Sequence, residues 1–338
     1  MAMRFLPPPW HWSAAALLFG VLVAGACADP SAGVERASRP VPLARDEPER
    51  DRLGAFAFRG AVEVAGGAGI GGLSGLAITD GGRRLTAVSD VGAVVRGRLH
   101  HANGRLTGIG ELAVTPLPGI PRRHGMAREN DSEDIVALPD GGWLVPFEGR
   151  HRILRYPPGF GEPTGLPLAP GMAELPLNGG LEALTRLRDG RLLAFAEGRH
   201  DGLAERTAWI AATPLKGPED WSAFTYRAAP GYRTTGAAVL PDGDVLVLER
   251  RASLLSGLGA RIARVALADI RPGATVQGEE LARLEAPLLT DNYEGIAAVP
   301  GADGETLVYV VSDDNFNGFQ RTYLLMLALP DRRVARAP

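Results

Sequence analysis

The fold is decided by the stretch Asn178-Gly-Gly-Leu-Glu-Ala-Leu-Thr-Arg-Leu-Arg-Asp-Gly-Arg-Leu-Leu-Ala-Phe-Ala-Glu-Gly-Arg-His200, which the chain repeats. Apolar runs flank Asp189-Gly190 on both sides, and Asp-Gly between apolar runs is the strongest short signal for a β-hairpin. Glu182 stands seven residues before Asp189, and Glu197 stands seven residues after Gly190. Because positions equidistant from a hairpin turn face each other, we predict that these two carboxylates lie side by side at the open end of the hairpin.

Related units occur along the whole chain. Two copies keep both acids, with Glu133 and Glu148 placed around one Asp-Gly pair and Glu294 and Asp313 placed around another. In two weaker copies the first acid is replaced, by Ser74 before Asp90 and by Thr235 before Glu249. The leading positions are 74, 133, 182, 235 and 294, which are 59, 49, 53 and 59 residues apart. Strands and turns repeated at such a period indicate a β-propeller or a related array.

The units also predict how the ring is built. Two further strand patterns follow most hairpins, so each unit makes a four-stranded blade of an all-β propeller. Five repeats can be counted, and a sixth, degenerate one stays open. The last unit ends with the strand pattern 322–329 and has no fourth strand. The unpaired pattern at 55–64 would fill that place, and a ring closed by this N-terminal strand would leave no open sheet edge.

Composition fits one large globular domain. The chain has 338 residues, and 45% of them are hydrophobic, which is enough for a sizeable core. The formal net charge of −3 argues against a nucleic-acid partner.

The N-terminal region has the pattern of an export signal. Arg4 precedes an apolar run at 13–26 that is too short to span a membrane and suits a secretory signal. The run ends in Ala24-Gly-Ala-Cys27, which resembles a bacterial lipoprotein cleavage site, and ordinary cleavage after Ala26 or Ala28 is the alternative. We therefore expect a periplasmic protein or one anchored in the cell envelope by a lipid on Cys27, the only expected contact with a membrane. The expected division of the chain is a signal peptide at 1–26, a disordered tether at 27–52 and the propeller at 53–330.

The repeated acids are predicted to share one face of the ring. In propellers the first strand of a blade is innermost, so its first residue stands at the mouth of the central channel. The outer acids should lie one strand further out on the same face. Carboxylates in that number suit Ca²⁺, or Mg²⁺ with waters. The predicted metal ligands are Glu133, Glu182, Glu294 and Asp313.

Further groups on this face suggest catalysis. Glu148 and Glu197 are the candidates to orient or deprotonate an attacking water. Guanidinium and imidazole groups follow both acids and are predicted to bind the substrate's anion. These substrate-binding candidates are Arg150, His151, Arg199 and His200. The structural alternative is that rim acids hold loop N–H groups or pair with an Arg of the next blade.

Several motifs resemble those of the phytase-like domain family, described as having the esterase-like activity of phytase. The resemblance covers residues 60–330 and rests on Gly72-Leu-Ser-Gly-Leu, Asn130-Asp-Ser-Glu-Asp, Phe147-Glu-Gly, Gly179-Gly-Leu-Glu-Ala-Leu, Ala196-Glu-Gly, Asn292-Tyr-Glu-Gly-Ile and Ser312-Asp-Asp-Asn. It implies a propeller with Ca²⁺-dependent hydrolysis of a phosphoester or an ester. The Asp-Asp-Pro-Ala motif of β-propeller phytases is absent, and Lys216 is the only lysine, which argues against phytate as the substrate.

Two classes of function therefore stand at this point. The first is an exported hydrolase that acts on a small anionic ester or phosphoester with a divalent cation at the channel mouth. The alternative is a non-catalytic propeller that binds a ligand or a protein of the cell envelope. A lactonase, a reaction that some metal-centred propellers perform, is a third reading.

Overall fold

The protein is an all-β propeller of five blades. The computed structural model describes residues 38–65, 70–120, 130–198, 204–253, 257–302 and 304–330. Helix in these ranges is limited to two short 3₁₀ turns, Pro218–Asp220 and Leu267–Asp269. In the same ranges no helix has the length and apolar character needed to cross a membrane.

The strands are numbered in chain order. The first three are β1 (Ser38–Val41), β2 (Arg52–Leu53) and β3 (Phe56–Val64). Blade 1 contains β4 (Leu73–Thr79), β5 (Arg84–Ser89), β6 (Ala93–Ala102) and β7 (Arg105–Pro116). Blade 2 contains β8 (Val136–Ala137), β9 (Trp143–Phe147), β10 (Arg152–Tyr156) and β11 (Thr164–Gly165). Blade 3 contains β12 (Leu181–Arg186), β13 (Leu192–Ala196), β14 (Glu205–Ala211) and β15 (Trp221–Arg227).

The remaining strands complete the ring. Blade 4 contains β16 (Arg233–Val239), β17 (Val245–Ser253), β18 (Gly257–Val265) and β20 (Glu279–Leu284). The intervening β19 (Thr275–Gln277) pairs in parallel with β15 and extends blade 3. Blade 5 contains β21 (Asn292–Pro300), β22 (Thr306–Asp313) and β23 (Tyr323–Leu329). The N-terminal β3 pairs antiparallel with β23, and β1 pairs with the other side of β3. Blade 5 is therefore made from both ends of the described chain.

The core lies between the blades. Five apolar clusters are buried, one at each interface between neighbouring blades. Within β13, Leu193 and Phe195 face blade 4, whereas Leu192 and Ala194 face blade 2. Successive side chains of a strand point to opposite faces, so a strand buried on both faces must be apolar throughout. This explains why the inner strands read as continuous apolar runs.

The N-terminal segment differs from the expected tether. Residues 38–52 fall inside the range predicted to be disordered, yet Ser38–Val41 forms a strand on β3. Leu43 is fully buried, and its carbonyl accepts a hydrogen bond from the Leu289 N–H group at 2.6 Å. An edge strand is held by backbone pairing, which polar composition does not reveal. The predicted signal peptide at 1–26, with Cys27, lies outside the described residues.

Candidate functional site

A β-bulge sets the direction of the leading residue in four of the blades. The register shifts by one residue at Ser74, Glu182, Thr235 and Glu294, each in the first hairpin of its blade. A bulge adds a residue to one strand and re-aims its side chain. Glu182 therefore does not face Glu197 as predicted. The N–H group of Glu197 instead bonds the carbonyl of Gly180 at 3.0 Å.

The bulge has a packing reason at the axis. The first strands of the blades contact one another in a ring, β4 to β8, β12, β16, β21 and back to β4. In the four bulged blades the residue after the leading position is small, a glycine in three of them and an alanine in the fourth. A Cβ on Gly75 would lie 2.4 Å from Asp134 Cα, and a Cβ on Gly236 would lie 2.9 Å from the carbonyl oxygen of Glu294. In the repeated Ser-Gly, Thr-Gly and Glu-Gly pairs, the glycine thus lets neighbouring first strands approach each other at the axis, and the bulge redirects the side chain of the residue before it.

The re-aimed side chains meet in one cavity. It has a volume of about 580 Å³ and opens at the face where the first strands begin. Eight carboxylates and two guanidinium groups are part of its lining: Asp90, Asp131, Glu133, Glu148, Glu182, Glu197, Glu294, Asp313, Arg233 and Arg250. The three leading acids and four of the five outer acids of the sequence prediction are among them, whereas the fifth outer acid, Glu249, does not line the cavity. The structure therefore brings together residues that are far apart in sequence.

The tightest acidic group lies in blade 2. Carboxylate oxygens of Asp131, Glu133 and Glu148 come within 4.8 Å of one another, and this cluster could hold a metal ion. The Glu148 Oε1 atom accepts hydrogen bonds from the N–H groups of Gly179 at 2.5 Å and Gly180 at 2.9 Å. Two backbone donors from blade 3 thus fix the orientation of this carboxylate. We name these three acids the acidic cluster.

Electrostatic repulsion is concentrated in the cavity. Burial and then the charge of Glu182 raise the pKa of Glu133 well above its usual value. Burial and Glu148 raise the pKa of Asp131 to about 6. Burial and then the neighbouring charges raise the pKa of Asp90 to about 7, and the same causes give about 7 for Asp313. A cation placed among buried carboxyl groups with raised pKa values stabilises their ionised form.

An arginine pair lies on the other side of the cavity. Arg233 and Arg250 face each other across the β16–β17 ladder. Both contact Glu197 Oε1, Arg233 at 3.2 Å and Arg250 at 3.5 Å. Arg250 also reaches Glu294 Oε1 at 3.2 Å and donates to Asn292 Oδ1 at 2.9 Å. Burial raises the pKa of Glu294 to about 7 even though Arg250 lowers it. The cavity thus has a carboxylate side and a second side, here called the mixed side, where the guanidinium groups of Arg233 and Arg250 lie beside acids.

The predicted cationic residues do not gather in this way. Arg150 is exposed and does not line the cavity. His151 also lies off the cavity, and its Nε2 donates to the Leu175 carbonyl at 3.0 Å. Arg199 and His200 lie outside the described residues.

The sequence prediction assigned no catalytic, metal-binding or substrate-binding role to Asp131, Arg233 or Arg250, which all line the cavity. Asp131 lies only two residues before Glu133, but its pairing with Glu148 follows from a strand register that the sequence does not reveal. The N–H group of Glu148 donates to the Asp131 carbonyl at 2.8 Å, so the two residues lie directly across the hairpin. The arginines reach Glu197 from the next blade, which no local pattern shows. The expectation that rim acids bind loop N–H groups or a neighbouring Arg describes Glu148 and Glu197 as they are placed.

Comparison with known proteins identifies a family. The model of the phytase-like family, described as "Esterase-like activity of phytase", matches residues 68–316. No curated protein matches the chain significantly.

Solved structures with a similar fold include several propellers. The PQQ-bound aldose sugar dehydrogenase of Streptomyces coelicolor is 14% identical, with 87% of this chain and 99% of that chain covered and a TM-score of 0.45. A gluconolactonase of Xanthomonas campestris is 17% identical, with coverages of 87% and 97% and a TM-score of 0.43. The major allergen of Malassezia sympodialis is 16% identical, with coverages of 86% and 96% and a TM-score of 0.44.

Proposed function

The chain belongs to the phytase-like family, and we propose that it is an exported hydrolase that cleaves a small anionic phosphoester or carboxylic ester with the help of a divalent cation. The observation that carries this proposal is the acidic cluster. Its three carboxylates converge within 4.8 Å on the wall of a cavity of about 580 Å³. Oxygen ligands of this kind suit Ca²⁺, or Mg²⁺ with waters.

The acidic cluster fits a cation chemically. Burial and then the charges of neighbouring acids raise the pKa values of Asp131 and Glu133, so a counter-charge placed between them is favourable. Asp131, Glu133 and Glu148 would hold the ion, with Glu148 kept in place by the Gly179 and Gly180 N–H groups. Glu182, Glu294 and Asp313, the other predicted ligands, line the same cavity around this cluster. A bound divalent cation supplies Lewis-acid polarisation of an ester or phosphoryl oxygen.

The mixed side supplies the remaining groups. Arg233 and Arg250 would bind an anionic oxygen of the substrate, the task that the sequence assigned to Arg150, Arg199, His151 and His200. Glu197, fixed on one oxygen by both arginines, would orient or deprotonate the attacking water. Burial and then the charge of Glu197 raise the pKa of Glu182 well above its usual value, and a carboxyl group with a raised pKa would suit the protonation of the leaving group.

Turnover assays test this function directly. We expect hydrolysis of p-nitrophenyl phosphate or p-nitrophenyl acetate that a chelator removes and Ca²⁺ or Mg²⁺ restores. The Glu133→Gln variant should lower kcat/KM on the order of 100-fold, since it removes a charged ligand of the ion. The matched control is Glu205→Gln, which changes an exposed acid on β14 that pairs with Arg227.

The outcomes separate the proposal from its alternative. Activity that survives both the chelator and Glu133→Gln would contradict a cation-dependent hydrolase. Tight binding of an anionic ligand in the same cavity without any turnover would support the non-catalytic binding propeller instead. Metal analysis of the purified protein shows independently whether an ion is bound.

Export is part of the proposal and has its own test. It rests on the apolar run at 13–26 and on Cys27, which also suggests a lipid anchor as the only membrane contact. Mass spectrometry of the mature N-terminus from a bacterial envelope fraction should find a chain that begins at Cys27 with lipid attached. A chain that retains residues 1–26 would contradict export through this signal.

A further inference from the structure

Exposed apolar side chains gather near the cavity. Among the described residues, the large hydrophobic side chains that are exposed are Val91, Leu177, Phe316 and Phe319. Val91 follows Asp90, Leu177 precedes Asn178 and Phe316 follows Asn315, and these three neighbours all line the cavity. Phe319 belongs to the same loop as Phe316 and is 98% exposed. Apolar groups left in water at the rim of a polar cavity are typical of a binding surface.

The loop that carries both phenylalanines, residues 314–321, is here called the rim loop. Its backbone is held by its own polar side chains. Asp314 Oδ1 accepts from the Phe316 N–H group at 3.0 Å, and Asn317 Oδ1 accepts from the Phe319 N–H group at 2.9 Å. The Arg321 N–H group donates to Asp291 Oδ2 at 3.0 Å. The two aromatic rings are therefore displayed by an internally bonded loop.

The backbone of the rim loop is also strained where it meets the cavity. Asn315 and Phe316 have φ values of 48° and 49°, in the left-handed region that side chains other than glycine rarely adopt. A bulky residue in that region is strained, and such strain is found mostly at binding and catalytic sites. The strain turns Asn315 toward the cavity and Phe316 toward its rim.

Phe316 lies directly beside a cavity carboxylate. A Cβ placed on Gly72 would lie 2.5 Å from Phe316 Cε2 and 2.2 Å from Asp90 Oδ1. The Gly72 N–H group is also bonded to Asp314 Oδ1 at 3.1 Å. The ring and the carboxylate thus lie on the same side of Gly72, which places the Phe316 ring beside the polar wall of the cavity.

We propose that the rim loop, through Phe316 and Phe319, binds an apolar aryl or acyl group next to the charged group held in the cavity. The inference rests on the proposed function and names its substrate class: esters or phosphoesters of an aromatic or long-chain partner. Contact with an aryl group follows from the flat, half-exposed Phe316 ring, which can stack on it. Fully hydrophilic polyphosphates gain nothing from this ring.

A pair of hydrolysis-stable probes tests the inference. Methylphosphonate and phenylphosphonate carry the same anion and differ in the apolar group. With Ca²⁺ present, calorimetry on the full chain should show phenylphosphonate binding about tenfold more tightly, the factor expected when roughly 1.4 kcal/mol of ring burial is gained. Phe316→Ala should bring the two dissociation constants within about twofold of each other while leaving that of methylphosphonate unchanged.

Further variants keep the test decisive. Phe319→Ala changes a side chain with almost no contact to the fold, so a reduced preference there cannot come from unfolding. Phe316→Leu should keep part of the preference, because it keeps apolar area and loses stacking. An equal affinity of the wild type for both probes, or a preference that survives in Phe316→Ala/Phe319→Ala, would overturn the proposal.

This binding readout is independent of catalysis. If the protein turns over no ester but still prefers phenylphosphonate through the phenylalanines, the rim inference stands and the hydrolase proposal fails. If turnover occurs with equal rates for methyl and phenyl esters of equal reactivity, the hydrolase stands and the rim inference fails. Vesicle binding that needs Phe316 and Phe319, with no preference between the probes, would assign the rim to a lipid surface and overturn the proposal.

Discussion

Glu148 in blade 2 and Glu249 in blade 4 occupy the same position of the repeated unit, yet their surroundings are opposite. Glu148 lines the cavity and accepts backbone N–H groups from the next blade. Glu249 is fully buried, and both its carboxylate oxygens lie 2.8 Å from Arg261 Nη1. Tyr226 also donates its hydroxyl to Glu249. The position in the repeat therefore does not decide the role of an acid. Its role depends on whether a neighbouring cation neutralises its charge.

The difference has a local cause in the sequence. In blade 2 the strand β9 ends at Phe147, and Gly149, with a φ of 70°, turns the chain just after Glu148. In blade 4 the residue after Glu249 is Arg250, and β17 continues to Ser253. Strand alternation then sends Glu249 away from the cavity and Arg250 into it. The pairs Glu-Gly and Glu-Arg thus separate a cavity carboxylate from a structural one.

The largest effect is expected when each acid is replaced by its uncharged isostere. Glu249→Gln removes the buried carboxylate partner of Arg261 and leaves only the more exposed Glu280, which should lower the free energy of unfolding by about 3 kcal/mol. Glu148→Gln keeps an oxygen for the Gly179 and Gly180 N–H groups and removes one of several repelling charges. Its free energy of unfolding should change by less than about 1 kcal/mol.

Urea denaturation of the metal-free protein measures both values. Arg261→Met is a useful companion, because a double-mutant cycle with Glu249→Gln should show strong coupling between the two sites. Equal losses for Glu148→Gln and Glu249→Gln would break the distinction between a cavity acid and a structural acid.

The propeller itself could be predicted because its signals are local. Each unit carries an Asp-Gly turn between apolar runs, and the period between units is visible along the chain. The structure confirms five blades, the number of units counted in the sequence. The gathering of distant acids such as Glu133, Glu182 and Glu294 in one cavity follows from the same repetition.

The strand register within the hairpins and the residues that contact the cavity acids could not be predicted. The bulge at Glu182 arises because the first strands crowd at the axis, and this depends on the neighbouring blade rather than on the hairpin. Counting residues from the turn therefore paired Glu197 with Glu182, two positions away from Gly180, whose carbonyl accepts the Glu197 N–H group. Glu197 and Arg250 are 53 residues apart and meet only when blades 3 and 4 pack. Polar composition likewise concealed the ordered strand Ser38–Val41.

The second effect is the pH dependence of stability, to which the buried acids of the cavity contribute. The pKa values of Asp90, Glu294 and Asp313 are raised to about 7 in the folded protein, mainly by burial. In the unfolded chain such groups titrate near 4. Between about pH 4 and 7 the folded state therefore binds more protons than the unfolded state, so stability falls as the pH rises. For the metal-free protein we therefore expect a progressive loss of stability between pH 5 and 8.

Denaturation curves at several pH values, with and without Ca²⁺, measure this slope. Saturating Ca²⁺ should flatten it, because the ion binds the ionised acids of the folded state. Glu133→Gln should reduce the slope in the absence of metal, since one source of repulsion is gone. A metal-free protein that gains stability from pH 5 to 8 would contradict the assignment of repelling acids to the cavity.

The smallest effect separates two arginines that the repeat makes look alike. Arg150 and Arg250 both follow an outer acid, but Arg150 is exposed, whereas Arg250 lines the cavity and contacts Glu197 and Glu294. A guanidinium shielded from water attracts an anion more strongly than one screened by solvent. Arg250→Gln should therefore weaken competitive inhibition by inorganic phosphate about tenfold, or roughly 1.4 kcal/mol, and Arg150→Gln by less than about twofold. Inhibition constants measured at saturating Ca²⁺ decide between them, and a larger effect at Arg150 would return the anion site to the loop where the sequence alone had placed it.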